Sequence, residues 1–173
     1  MKRIVWTFGL IAGAIMAAVM FITVPFAEQI AGKGEVIGYT TMILAFVMVY
    51  FGIRSYRDNV AGGAIGLGRA FKVGILITLV ASACYVVAWQ VVYRTMMPNY
   101  ADLYANRSIE KARAAGATEA QIEAKKLEMA KFAEMYQNPL VNVSLTFLEV
   151  FPVGAVLVLL SAGALSRKPI GAH

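Results

Sequence analysis

The chain is short of the residues that most catalytic and metal-binding chemistry uses. It has one cysteine, Cys84, and one histidine, His173, at the last position. A single cysteine allows no intramolecular disulfide and no cysteine metal cluster. A single histidine leaves no histidine-based metal site or catalytic dyad within one chain. Neither Gly-x-Ser-x-Gly nor His-Glu-x-x-His occurs, so two common hydrolytic arrangements are missing. Paired aspartates inside a membrane are missing too, because Asp58 and Asp102 both fall outside the apolar runs. The glycines of the stretch Arg54–Lys72 resemble a phosphate cradle only in composition: no strand precedes them and no Gly-Lys-Ser/Thr ending follows. The expectation is a protein that is not an enzyme, with no cofactor and no metal.

Charge is scarce as well. Charged residues make up 15% of the 173 and hydrophobic ones 60%, whereas a soluble domain is nearer half apolar. The apolar residues come in blocks close to the roughly 20 residues that cross a bilayer as a helix. The reading is an integral membrane protein, all-α, forming a single membrane domain over residues 1–173. The formal net charge of +6 would point to nucleic acid in a soluble protein. Here it follows membrane topology, and no nucleic-acid partner is expected.

Four spans are expected, at about 4–26, 36–53, 73–93 and 140–165. The first, Ile4 to Phe26, carries no charge. It is longer than the apolar core of a signal peptide, and Pro25-Phe26-Ala27 lacks the small residue of a cleavage site, so it reads as retained. Gly9, Gly13 and Ala17 recur four apart, a spacing that lets helices approach closely, either inside the bundle or between two copies. Ala27 to Glu35 is a polar link. Gly38, Ala45 and Gly52 recur every seven residues in the second span and suit a narrow packing seam. Arg54 to Lys72 reads as a membrane-surface loop whose Arg54, Arg57, Arg69 and Lys72 contact anionic lipid, with Tyr56 and Phe71 as interfacial anchors. In the third span Thr78 and Ser82 are expected to back-bond to their own helix. Trp89 and Gln90 fall near its end, at headgroup depth.

Arg94 to Asn138 is polar and charged. Pro98 interrupts it, Gly116 splits it and Pro139 ends it. Thr118-Glu119-Ala120-Gln121 has the form of a capping box. Ile122, Met129, Ala133 and Tyr136 then share a helical face. Two helices are expected, about Tyr100–Ala115 and Glu119–Gln137, as a helical insert between spans three and four. Short-loop cations orient membrane proteins. One side holds Lys2, Arg3, Arg54, Arg57, Arg69, Lys72, Arg167 and Lys168 against the single acid Asp58. The insert balances its cations with Asp102, Glu110, Glu119, Glu123, Glu128 and Glu134. Both termini are therefore expected in the cytoplasm and the insert outside it.

One acid stands inside a span. Glu149 lies near the middle of Leu140–Leu165, one turn before Pro152, whose ring removes a backbone donor and leaves the carbonyl of Leu148 open. An ionised carboxylate at that depth costs several kcal/mol. The neutral form, hydrogen-bond donors at matching depth (Thr40, Thr41, Tyr85 and Trp89 by residue counting) or a wet cavity within reach of Arg94 would each lower that cost. The candidate polar site is thus Glu149, Pro152, Tyr85, Trp89, Thr40 and Thr41.

Three stretches together resemble a known family: Gly52-Ile53-Arg54-Ser55-Tyr56-Arg57-Asp58, Gly68-Arg69-Ala70-Phe71-Lys72-Val73-Gly74, and Phe147-Leu148-Glu149-Val150-Phe151-Pro152-Val153-Gly154. With Gly34–Thr41 and Met135–Pro139 they are similar to a bacterial membrane family catalogued as domain of unknown function four-one-nine-nine. The resemblance covers nearly the whole chain. It implies a four-helix protein of the inner membrane with an extracytoplasmic insert, and it brings no activity, cofactor or catalytic residue. In that family proline often follows the glutamate; Val150 stands there in this chain, which leaves Pro152 as the break. Three functions compete: an accessory or scaffold protein, with a second copy or another membrane protein as partner; a small proton- or ion-coupled transporter using Glu149 and the Pro152 kink; and a protein that binds anionic lipid on the cytoplasmic face of the bilayer.

Overall fold

The computed structural model describes residues 1–26 and 33–166. All regular structure among them is helical. Helix α1 covers Lys2–Thr23 and runs into a 3-10 turn at Val24–Phe26. Helices α2 (Gly34–Asn59), α3 (Leu67–Thr95), α4 (Tyr100–Ala114), α5 (Glu119–Tyr136) and α6 (Pro139–Leu165) follow. Most of the Ala27–Glu35 link, the closing cations Arg167 and Lys168, and His173 lie outside the described residues. Helices α1, α2, α3 and α6 are each long and apolar enough to cross a membrane.

The chain divides into two compact units. The first takes in α1, α2, α3 as far as Trp89, and α6 from Phe147. Its core runs through Met16, Phe46, Val49, Ile53, Ile77 and Val158, each at most 2% exposed. Small residues let the helices approach α3 backbone to side chain. A Cβ placed on Gly9 would stand 2.7 Å from Val80, and one on Gly13 2.5 Å from Cys84. On α6, a Cβ at Gly154 would meet Thr78 and the ring of Phe46. A Cβ on Gly74 of α3 itself would stand 2.9 Å from Val158 and 3.0 Å from Ile53. The small-residue row of α1 therefore packs inside the bundle, against α3. The seven-residue seam of α2 is used at Ala45 and at Gly52, which meets Ile77 and Phe8; Gly38 has no neighbour within 4 Å.

The stretch Arg54–Lys72 is not one loop. Helix α2 continues through Arg54 to Asn59, and Arg69 and Lys72 already belong to α3. Hydropathy falls at Arg54, but nothing there breaks a helix. The turn comes at Gly62 (φ 70°) and Gly63 (φ 90°), in the left-handed region that suits glycine. The Gly63 amide donates back to the Arg57 carbonyl at 2.9 Å and closes the helix. Tyr56 is correspondingly not an interfacial anchor: it is 9% exposed and belongs to the core, whereas Phe71 is exposed. Thr78 and Ser82 are fully buried, and their hydroxyls have no hydrogen-bond partner, so the expected back-bonding is not made.

The second unit spans Gln90–Thr146. Its α4 and α5 are joined through Gly116 (φ 78°) and pack antiparallel on aromatic rings: Tyr104 on Phe132 at 5.3 Å, Tyr100 on Tyr136 at 5.7 Å. Tyr93 completes the cluster, edge-on to Tyr136 at 5.5 Å. The capping box is made, with Thr118 accepting from the Gln121 amide and Gln121 accepting in return. Ile122, Met129 and Tyr136 are buried. Exposed pairs flank this buried stripe, Lys125 with Glu128 at 3.0 Å and Lys126 with Glu123 at 2.6 Å, and such exposed pairs add little stability.

Close backbone approach makes a direct prediction. Gly13→Leu should force α1 away from α3, at a cost of about 1–3 kcal/mol, and lower the thermal midpoint of the purified protein by several degrees. Gly38→Leu, with open space around it, should leave the midpoint unchanged.

Candidate functional site

The chemistry worth locating sits on α6. Its inward face carries Val150, Gly154, Val158 and Ala162, all buried. Its outward face carries Leu148, Glu149, Pro152, Val156, Leu159 and Leu160, all exposed. The spacing is that of one helical stripe. Leu148, Leu159 and Leu160 are 61–64% exposed, so Glu149 is an acid set in an apolar outer surface. Pro152 lies within the helix, which runs unbroken from Pro139 to Leu165. The Leu148 carbonyl opens on the same face, since Pro152 has no N–H to give it. Phe147 and Phe151 stack at 4.9 Å, one turn apart, beside the acid. The stripe therefore presents a carboxyl group, which also donates when neutral, and a spare carbonyl acceptor, ringed by leucine and valine.

The donors named from the sequence do not close around this acid as a clamp. Thr40 is exposed on α2, and the Thr41 hydroxyl donates to the Ile37 carbonyl of its own helix at 2.8 Å. Tyr85 is half-buried and Trp89 buried on α3. No hydrogen bond or ion pair among the described residues reaches the Glu149 carboxyl. No three of His, Cys, Asp and Glu gather as a metal would require among the described residues.

The cations sit at the other feature of interest. Arg57 Nε donates to Asp58 Oδ1 at 2.7 Å, while Arg54 Nε stands 3.6 Å from the second oxygen. Both arginines lie near the C-terminus of α2, where the helix dipole favours positive charge. Arg69 and Lys72 are exposed on α3. A cleft of about 410 Å³ opens beside α2, lined by Phe8, Met48, Phe51, Arg54, Ser55 and Asp58.

The second unit holds a polar contact that reading the sequence passed over. The Gln90 amide donates to Asn142 Oδ1 at 2.7 Å. Asn142 is 1% exposed, and its own amide nitrogen is unpartnered. Thr146, one turn on, donates to the Asn142 carbonyl at 2.8 Å. Gln90 is thus not a headgroup contact but an interhelical donor. The available signal was an asparagine near the start of an apolar run.

The family described as Protein of unknown function (DUF4199) matches the chain over residues 7–167. No curated protein and no solved structure gives a significant match.

Removing either amide tests the pair. Gln90→Leu leaves both polar ends of a buried asparagine unsatisfied and should cost about 1–3 kcal/mol. Asn142→Leu removes an already unmatched donor together with the acceptor, and leaves only a half-buried Gln90 behind. It should cost less than Gln90→Leu in the same thermal unfolding measurement; the reverse order would refute the assignment of the bond.

Proposed function

The chain belongs to this family, whose description carries no activity, and on that premise we propose a membrane accessory or scaffold protein that works by helix association rather than catalysis. Four helices are long and apolar enough to span, and only 22–39% of their most apolar windows is buried within the protein. The outer surface carries Trp6, Leu10, Leu44, Val87 and Leu159 among many exposed apolar side chains. A water-soluble monomer rarely exposes so much contiguous apolar area. Lipid accounts for it. The membrane we assign is the bacterial cytoplasmic one. Both ends and the α2–α3 turn face the cytoplasm, because Lys2, Arg3, Arg54, Arg57, Arg69 and Lys72 outnumber Asp58 there. That end meets the anionic headgroups of the inner leaflet, and α4–α5 form a periplasmic insert.

The observation that carries the association reading is Glu149 on the outward face of α6. A carboxyl turned to lipid costs several kcal/mol as the ion, and the protein itself offers it no donor among the described residues. A partner helix would supply one. The neutral acid both donates and accepts, so two copies across a twofold axis can pair carboxyl with carboxyl or with the Leu148 carbonyl. A helix of a different membrane protein, with a hydroxyl, amide or cationic group at matching depth, complements it as well. The carrier reading has no observation in its favour, since the acid lies on the outer stripe of α6 rather than on its packed face.

A photoreactive residue at Leu160 should give one discrete adduct with a second membrane protein, while the same group at Val158 on the inward face should give none. Glu149→Leu should abolish the Leu160 adduct, and Glu149→Gln, which keeps a polar group, should retain part of it. An adduct at twice the mass of this chain would identify a second copy as the partner; no discrete adduct, or one indifferent to Glu149→Leu, would refute the proposal.

A further inference from the structure

We propose that the cleft beside α2 is a binding site for one anionic phospholipid, with the phosphate held by Arg54 and Ser55 and an acyl chain laid over Phe8, Met48 and Phe51. The proposal rests on the membrane reading above and adds a defined site to it.

The cleft has two chemistries in the right order. Its floor is apolar and comes from two helices: Phe8 on α1, Met48 and Phe51 on α2. Its rim is polar and lies one to two turns further along α2, at Arg54, Ser55 and Asp58. The apolar run of the second span ends at Ile53, so the rim falls where headgroups begin if α2 crosses a bilayer. A free phosphate would use the rim and leave the floor unused. A neutral acyl lipid would use the floor and leave the cation unmatched.

The rim also carries a charge surplus. Asp58 is the one acid facing two guanidinium groups, which leaves one net positive charge. Its short contact, 2.7 Å, goes to Arg57, whose side chain is 22% exposed. Arg54 is left with 3.6 Å, too long for a hydrogen bond, and its side chain is 54% exposed. Arg54 lines the cleft with its longer and more exposed ion pair, and its planar fork fits the paired oxygens of a phosphate. Ser55 accepts from the Asn59 amide at 3.3 Å, which leaves its own proton to donate. Asn59 also binds the Ser55 carbonyl at 3.0 Å and so fixes this turn of the helix. An anionic headgroup neutralises the surplus, whereas a zwitterionic one brings its own cation and does not.

The test uses the full chain, purified in detergent and delipidated. It is titrated with phosphatidylglycerol, with phosphatidylcholine of the same acyl chains, and with inorganic phosphate, and lipid occupancy is read by native mass spectrometry. Phosphatidylglycerol should bind roughly fivefold or more tightly than phosphatidylcholine, the effect of about one interfacial cation. Inorganic phosphate should not compete at the same concentration. R54Q should bring the two lipids to parity, while R69Q, on α3 and outside the cleft, should keep the preference. S55A, a milder change at the rim, should weaken phosphatidylglycerol about two- to tenfold, the effect of one hydrogen bond, and serves if R54Q does not fold. Parity in the unaltered protein, a preference that survives R54Q or is lost equally in R69Q, unchanged binding by S55A, or competition by phosphate would overturn the site. A chain that stays dispersed without detergent and takes up no lipid would instead overturn the membrane reading itself.

Discussion

Close backbone approach at small residues is what the helix bundle depends on. In lipid the outer medium is as apolar as leucine, so expulsion of water gives helices little reason to associate. What remains is contact, and contact improves as backbones come nearer. Gly9, Gly13, Gly52 and Gly154 each bring a neighbouring helix onto α3, where a Cβ would stand at or within 2.7 Å of a side chain atom. Gly74 does the same from α3 itself, with Val158 at 2.9 Å. The residues that meet them, Val80, Cys84, Ile77, Thr78 and Val158, fill the space that the missing side chains leave. Thr78 is there as a shape as well as a hydroxyl: its methyl group faces Gly154, and its oxygen is without a partner.

The same reasoning gives the outward stripe of α6 its meaning. If the bundle lies in a membrane, each helix buries one face on its neighbours and gives the other to lipid, and lipid tolerates leucine but not a carboxylate. Glu149 and the open carbonyl above it break an otherwise apolar surface, at a position where packing demands neither. At the opposite end of α2, Arg54 breaks the rule in the other sense, as an exposed cation above an apolar floor. Both features are what the two proposals rest on, a donor-bearing helix for the first and an anionic lipid for the second.

Much of the fold is legible in the chain because long apolar runs mark helices long and apolar enough to cross a membrane. The four apolar runs became four helices, and the capping box at Thr118 marked the start of α5 to the residue. Hydropathy reports where oil ends, however, not where hydrogen bonding ends. The second helix runs past Ile53 to Asn59, since only Gly62 and Gly63 stop it, and Tyr56 went into the core with it. Facing is harder to read. Both faces of α6 are apolar, so periodicity separates them poorly, and the direction of Glu149 follows only from where Gly154 and Val158 pack. The Gln90–Asn142 bond joins residues far apart in the chain, and no local pattern couples them. The aromatic cluster of α4 and α5 could have been anticipated from Tyr100–Tyr104 and Phe132–Tyr136, two rows of rings at helical spacing.

The proposed topology sets the α2–α3 turn in the cytoplasm and the α4–α5 turn outside it. Single cysteines introduced by Val60→Cys and by Ala115→Cys, in a chain with Cys84→Ala, decide this with a thiol reagent that does not cross membranes. In intact cells the Ala115→Cys protein should react at once and the Val60→Cys protein only after the membrane is opened. Equal labelling of both, or labelling of Val60→Cys alone, would contradict the account.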